Sequence, residues 1–77
     1  MPSAAVQARL AANLRERIAS RGLSLDTAAD LAGVSRRQLY SVLSGDRDAT
    51  VGWLEKLADV LEVDVAELLK PRPESDT

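Results

Sequence analysis

Two adjacent arginines, Arg36 and Arg37, stand at the predicted start of a helix, directly after Ser35. Ser35 is a favoured helix N-cap, and Gln38 three residues later completes the capping-box pattern. Cations are unfavourable in the first turn, because a helix N-terminus already carries a partial positive charge. An anion bound there removes the conflict, since the free backbone N–H groups and the guanidiniums attract it together. The pair therefore predicts a phosphate-bearing partner.

The outward face of this helix carries hydrogen-bonding groups beyond the two arginines. Helical spacing turns Leu39, Val42 and Leu43 inward. It leaves five other side chains outward: Arg36, Arg37, Tyr40, Ser41 and Ser44. A guanidinium fork matches the O6 and N7 acceptors of guanine, which face the major groove of DNA. Two solvated arginines at a helix start are also common, so the neighbouring elements have to decide between the two interpretations.

The segments before this helix have helical patterns too. Apolar residues recur at every fourth position in the first of them, at Val6, Leu10, Leu14 and Ile18. This period predicts a helix over residues 3–21. Ser24 caps a short alanine-rich helix, and Gly33 supplies a tight turn before the arginines. Two short helices joined by such a turn predict a helix-turn-helix over residues 25–44.

The second half of the chain predicts two more helices. Thr50 is a suitable N-cap for the fourth helix. Asp64 and Glu67 form a capping box for a brief fifth helix, which ends at a proline. No strand pattern competes with these assignments. We expect one helical domain over residues 1–70 and a disordered tail over residues 71–77.

The composition excludes several classes of chemistry. The 77 residues include no cysteine and no histidine, which rules out disulfides, zinc sites built on thiolate or imidazole, and Ser-His-Asp or Cys-His nucleophiles. A chain this short has little room for an enclosed substrate pocket. We therefore predict no enzyme activity, no metal site and no cofactor.

No signal peptide or apolar run of about 20 residues is visible, so we expect a cytoplasmic protein without a membrane span.

The net charge of −2 conceals an asymmetry along the chain. Residues 1–48 hold seven arginines against five acids, whereas residues 49–77 hold three cations against seven acids. The first part, which contains the paired arginines, is therefore basic. We expect the acidic part to face away from a polyanionic partner.

The stretch LSLDTAADLAGVSRRQLYSVLSG, followed by LEKLADVLEVDVAELL, resembles the Cro and lambda-repressor-like helix-turn-helix family, also called the Xre family. The resemblance covers about residues 14–69 and implies a compact all-α fold of five helices, sequence-specific binding to the major groove of double-stranded DNA, and transcriptional control. It implies base contacts from Arg36, Arg37, Ser41 and Gln38. Backbone contacts are expected from Tyr40, Ser35, Ser24, Ser44 and Arg47. For Arg47, an ion pair with Asp46 or Asp48 is an equal alternative.

The chain departs from the family pattern in its second helix. Leu25 stands where members often have a glutamine that contacts the DNA backbone. Ala28 and Ala32 stand where a larger aliphatic residue is usual, and we expect Leu31 to supply some of the missing packing. Neither change conflicts with the predicted fold.

A dimer contact is predicted in the second half of the chain. Trp53 precedes an inward-facing leucine, and Val60 lies seven residues further along the same face. An exposed tryptophan in line with a valine is a natural interface anchor, although Trp53 covering the edge of the core is the alternative. Members of the family commonly dimerise through the fifth helix and the turn before it, which adds Val63, Val65 and Leu69.

These observations predict a transcriptional repressor that binds a palindromic operator as a homodimer. Phage repressors, restriction-modification controllers and antitoxins all fit this description, and a protein partner such as a toxin or a polymerase stays open. The alternative is a helical module of the same fold that binds proteins and not DNA. Net acidity, the missing glutamine and an exposed Trp53 would favour that alternative.

Overall fold

The computed structural model describes residues 2–71, which form five α-helices and no strand. The helices are α1 (Pro2–Ser20), α2 (Leu25–Ala32), α3 (Arg36–Ser44), α4 (Val51–Leu61) and α5 (Val65–Leu69). The predicted all-α fold is confirmed, with α2 and α3 as the helix-turn-helix. Most of the predicted disordered tail, residues 72–77, lies outside the described residues. Within the described range, no helix combines the length and the apolar character needed to cross a membrane.

Three helices begin at the caps that the sequence predicts. The side-chain oxygens of Ser24, Ser35 and Thr50 each accept a bond from the backbone N–H three residues later, at 3.1, 3.2 and 3.1 Å. Such a bond satisfies one of the free donors at a helix start. These local signals therefore set the positions of α2, α3 and α4.

Asp64 is the N-cap residue of α5, but the predicted capping box with Glu67 is wrong. Asp64 precedes the helix but forms no side-chain cap bond. The Glu67 carboxylate, which the capping box would turn back toward the Asp64 backbone, lies instead against Arg17 of α1 at 3.2 Å and Lys70 at 3.1 Å. Two nearby cations give that carboxylate better partners than an uncharged N–H group.

The turn between α2 and α3 depends on a left-handed residue. Gly33 has a φ of 72°, and the N–H of Val34 bonds back to the carbonyl of Ala29 at 3.0 Å. A side chain is rarely tolerated in this backbone region, so glycine is the favoured residue. The turn brings the start of α3 close to the outer face of α2.

A single core lies between the five helices. The inward row of α1 is confirmed at Leu10, Leu14 and Ile18, whereas Val6, one turn nearer the N-terminus, is 39% exposed. Ala28 and Ala29 of α2 are fully buried, so their small side chains set how closely α2 packs against its neighbours. The remaining buried hydrophobic residues are Leu39, Val42, Leu43, Trp53, Leu54, Leu57, Ala58, Leu61 and Leu68.

Three polar residues spaced by four, Asn13, Arg17 and Arg21, connect α1 to the C-terminal helices, and we call them the α1 polar row. The buried Asn13 donates from Nδ2 to the carbonyls of Leu68 and Lys70, both at 2.8 Å. Arg17 pairs with Glu67, and Arg21 donates to the carbonyl of Leu61 at 2.9 Å. The row thus satisfies carbonyls at the ends of α4 and α5, which no helix bond can reach.

Candidate nucleic-acid interface

The first turn of α3 is an exposed and strongly basic helix start. Ser35 has extended backbone angles, with φ −67° and ψ 134°, and the first turn contains no acidic residue. Arg36 and Arg37 are both exposed there, as predicted. The conflict between two cations and the helix dipole is therefore present in the folded protein.

Arg36 finds its compensating anions on α2. Its Nε and Nη2 atoms donate to the two carboxylate oxygens of Asp30, at 3.0 and 2.6 Å, and Nη1 reaches Asp26 at 3.5 Å. The hydrogen bond from Arg36 lowers the pKa of Asp30, and the same bond raises the pKa of Arg36 further above its ordinary value. The anion predicted at this helix start is thus partly supplied from within the chain.

Tyr40 is tied to the same carboxylates. Its hydroxyl donates to Asp26, one turn along α3 from Arg36, and 45% of the residue is exposed. The bond to Asp26 raises the pKa of Tyr40, since ionisation would remove the donated proton. We call Asp26 and Asp30 the α2 carboxylate pair.

Sequence reasoning missed the α2 carboxylate pair. The available signal was its spacing: Asp26 and Asp30 are four residues apart on α2, as Arg36 and Tyr40 are on α3. Two such pairs on helices joined by a tight turn can face one another.

Arg37 contrasts with its neighbour. It is exposed, and its side chain forms no hydrogen bond or ion pair with any residue that the structure describes. Gln38 and Ser41, the other predicted base contacts, are partly buried next to it on α3. We call Arg36, Arg37, Gln38, Tyr40 and Ser41 the α3 surface.

The predicted backbone contacts lie at the ends of the same two helices. Ser24 and Ser35 are exposed caps at the starts of α2 and α3. At the end of α3, the hydroxyl of Ser44 donates to the carbonyl of Ser41 at 3.1 Å and also reaches Asp46. Arg47 follows in the loop, exposed and without a partner in the described part of the chain. The alternative ion pair of Arg47 is not formed in the described structure, where Asp46 accepts a bond from Ser44 and Asp48 accepts one from Gln7.

Two expectations about apolar residues of α2 and α4 are wrong. Trp53 is only 7% exposed and belongs to the core, so it is not an exposed anchor. It covers the core edge beside Leu54, as in the alternative interpretation, and its indole N–H has no partner in the described structure. Leu31 is 61% exposed and supplies no core packing, because the fully buried Ala28 already lets α2 pack closely.

The other predicted dimer residues lie in α5, in the turn before it and at the end of α4. Val63 and Val65 are partly buried against the core, and Val60 is also partly buried. Leu69 is 37% exposed and lines an open groove of about 570 Å³ together with Val6 and Val51, which are 39% and 65% exposed. Sequence reasoning missed Val6 and Val51 as parts of this apolar surface.

Comparison with known proteins agrees with this geometry. The sequence profile described as a helix-turn-helix domain matches residues 9–70. The restriction-modification controller protein C.AhdI from Aeromonas hydrophila is 33% identical, with a TM-score of 0.78 over 83% of this chain and 97% of that one. The hypothetical transcription factor NHTF from Neisseria is 28% identical, with a TM-score of 0.83 over 92% of this chain and 80% of that one.

A third solved structure, an HTH_3 family transcriptional regulator from Vibrio cholerae, is 35% identical, with a TM-score of 0.75 over 82% of this chain and 35% of that one. No curated protein sequence gives a match. The family to which these structures belong consists of transcription regulators, not enzymes. The chain belongs to the Cro and lambda-repressor-like helix-turn-helix family of DNA-binding transcription regulators.

Proposed function

We propose that this protein is a transcriptional repressor that binds a two-fold symmetric operator as a homodimer. The observation that carries the proposal is the start of α3, where the exposed Arg37 has no partner in the described structure and no acid lies in the first turn. A free guanidinium at a capped helix start is suited to a base edge or a phosphate. In helix-turn-helix proteins, the N-terminal residues of the second helix contact the bases.

In this proposal, α3 enters the major groove with its first turn leading. Arg36 and Arg37 contact bases, and Gln38 and Ser41 contact the next base pairs along the groove. Ser24 and Ser35 bring the N-termini of α2 and α3 toward phosphates, while Tyr40, Ser44 and Arg47 lie along the flanking backbone. Each arginine that forks onto a guanine gives about ten- to hundredfold discrimination against the wrong base.

The proposed dimer places two α3 helices in successive major grooves, with half-site centres about 34 Å apart. The exposed Leu69, with Val6 and Val51 beside it, supports a contact between two copies around α5. Val60, Val63 and Val65 are proposed to lie within or next to this contact. Because Trp53 is buried, we leave it out of the proposed contact.

Among the three kinds of regulator that fit the sequence, similarity favours a restriction-modification controller. C.AhdI is such a controller, and its alignment with this chain spans 97% of its length at 33% identity. In this proposal, the protein's own concentration and its dimerisation set operator occupancy.

The first experiment selects binding sites from random duplexes and then measures affinity over a series of salt concentrations. We expect a two-fold symmetric site, with affinity that falls steeply as salt rises, because bound arginines displace counterions from phosphates. Arg37→Ala is expected to weaken binding to the selected site about ten- to hundredfold.

Lys56→Ala is the matched control for this experiment, because Lys56 is an exposed cation on α4 without a partner in the described structure. It removes the same charge and is expected to change the affinity only slightly. Selection of no sequence, or equal losses for both variants, would overturn specific DNA binding. A protein-binding module would then be the better description.

The dimer is tested by sedimentation equilibrium of the protein without DNA. Leu69→Asp is expected to weaken dimerisation at least tenfold, because it places a charge in an apolar contact. Leu31→Asp makes the same change at an exposed leucine on α2 and is expected to leave dimerisation unchanged. A monomeric wild-type protein at all concentrations would exclude the homodimer.

The repressor activity is tested with a promoter that contains the selected site in front of a reporter gene. Expression of the protein is expected to lower reporter output, and Arg37→Ala is expected to restore it. A rise in output with the wild-type protein would identify an activator instead.

A further inference from the structure

Four side chains on α2 and α3 form a connected set on the proposed DNA-binding side of the molecule. Asp30 accepts two bonds from Arg36, at 3.0 and 2.6 Å, and Asp26 accepts bonds from both Arg36 and Tyr40. All four residues are about half exposed, with 54% of the Arg36 side chain, 54% of Asp30 and 45% of Asp26 accessible. The set therefore lies at the surface and not in the core.

Such exposed ion pairs add little to folding stability, because water and salt screen them and ordering the side chains costs entropy. Near DNA, two carboxylates also face an array of phosphates, which repels them. Neither stability nor general DNA affinity explains why a DNA-binding surface has this arrangement.

The geometry of Arg36 offers an explanation. A guanidinium has five N–H donors in a fixed plane. Asp30 and Asp26 engage three of them, through Nε, Nη2 and Nη1. Two N–H groups remain, one on each terminal nitrogen. Their number matches the two acceptors, O6 and N7, on the major-groove edge of a guanine. A guanidinium held on its other sides no longer has to be ordered when it meets a base.

We propose that Asp26 and Asp30 are positioning residues that determine the sequence specificity of this protein: they hold Arg36 for a guanine edge in the major groove and withhold it from phosphates. This inference rests on the proposed DNA-binding function. Its physical basis is that non-specific binding depends on cations free to neutralise phosphates. Arg36, already neutralised by carboxylates, adds little to that binding, whereas Arg37 remains free for it.

The test compares Asp30→Asn with the wild-type protein on the selected duplex and on a random duplex, each over a series of salt concentrations. Removing the carboxylate releases Arg36 toward phosphates. We expect affinity for random duplex to rise several-fold, and its logarithmic salt dependence to steepen by about 0.9, the value for one additional phosphate. The ratio of specific to non-specific affinity is expected to fall at least tenfold.

Asp59→Asn is the matched control, because Asp59 is an exposed acid on α4, away from the α2 carboxylate pair in the sequence. It removes the same charge and is expected to raise both affinities alike, which leaves their ratio unchanged. The Arg36→Ala background separates positioning from general repulsion, because in that background Asp30→Asn is expected to leave the ratio unchanged. Asp26→Asn is expected to lower the ratio less than Asp30→Asn, since Asp26 holds Arg36 through one longer bond.

An unchanged ratio in Asp30→Asn, or a change that persists in the Arg36→Ala background, would overturn the positioning role while the proposed function stands. A wild-type protein that binds both duplexes equally would overturn the proposed function and the inference together. Circular dichroism of each variant confirms that it is folded, and Asp30→Ala provides a second variant if the asparagine retains a bond to Arg36.

Discussion

The α1 polar row and the α2 carboxylate pair are both built on residues spaced by four along a helix, and both use arginines opposite carboxylates. Their partners differ. Asn13 and Arg21 of the row donate to backbone carbonyls at the ends of α4 and α5. Among the residues that the structure describes, the carboxylate pair bonds only to the exposed side chains of Arg36 and Tyr40.

This difference in partners separates folding from recognition. A carbonyl at a helix end is fixed in space, and leaving it buried without a donor is costly. An exposed side chain that loses its partner turns to water at little cost. We infer that the α1 polar row stabilises the fold, while the α2 carboxylate pair determines where one arginine points.

The largest effect is expected from Asn13→Ala, which removes the donor to two carbonyls. Each unsatisfied carbonyl costs about 1–3 kcal/mol, so we expect the free energy of unfolding to fall by about 3 kcal/mol. Urea unfolding followed by circular dichroism measures this change. Arg15→Ala, at an exposed position of the same helix, is the control and is expected to change stability by less than about 0.5 kcal/mol. Equal effects of the two variants would contradict a structural role for the row.

A smaller effect is expected from Arg21→Ala. Arg21 donates to the last carbonyl of α4, at 2.9 Å, and pairs with Glu62 at 3.1 Å. Because the Arg21 side chain is 39% exposed, we expect a loss of about 1 kcal/mol, below the usual value for a charged hydrogen bond. Glu62→Gln, which removes the ion pair and keeps the carbonyl bond, is expected to cost much less in the same urea measurement. A larger loss for Glu62→Gln would assign the stabilisation to the ion pair.

The contacts that sequence reasoning found are the local ones. The caps at Ser24, Ser35 and Thr50 depend on atoms three residues apart, so the residue types alone locate them. The turn at Gly33 and the inward faces of α1 and α3 follow from backbone conformation and helical period in the same way. Exposure of Arg36 and Arg37 at the start of α3 was predictable for this reason.

The contacts that sequence reasoning missed depend on tertiary structure. Glu67 leaves its capping box for Arg17, 50 residues away along the chain. Trp53 is buried because neighbouring helices cover it, and the helical period does not reveal which of two adjacent faces they cover. Asn13 gave only a weak signal, as a lone amide beside the apolar row of α1. The candidate DNA surface was predicted by position, but the carboxylates that hold Arg36 were not.

A third variant tests whether the α2 carboxylate pair contributes to folding stability. The double substitution of Asp26→Asn and Asp30→Asn is expected to lower the midpoint of urea unfolding only slightly, because the carboxylates are exposed and, in the described structure, bond only to exposed side chains. Asn13→Ala, measured alongside it, shows that the assay detects a structural loss. A destabilisation by the double variant as large as that of Asn13→Ala would mean that both sets hold the fold together.

The smallest and most local effect is expected on the pKa of Asp30. A pH titration followed by carboxyl carbon NMR measures it. Its hydrogen bond from Arg36 holds the pKa of Asp30 below the ordinary value of 3.8. Because the pKa is lower in the folded protein, the pair contributes stability above pH 3.8 and loses it as the pH falls through the folded-state pKa. Arg36→Gln is expected to return the pKa of Asp30 toward 3.8, while Arg37→Gln leaves it low, since Arg37 has no partner in the described structure. If both variants shift the pKa equally, Asp30 responds to the general charge of the α3 surface, and the bidentate contact that positions Arg36 is absent in solution.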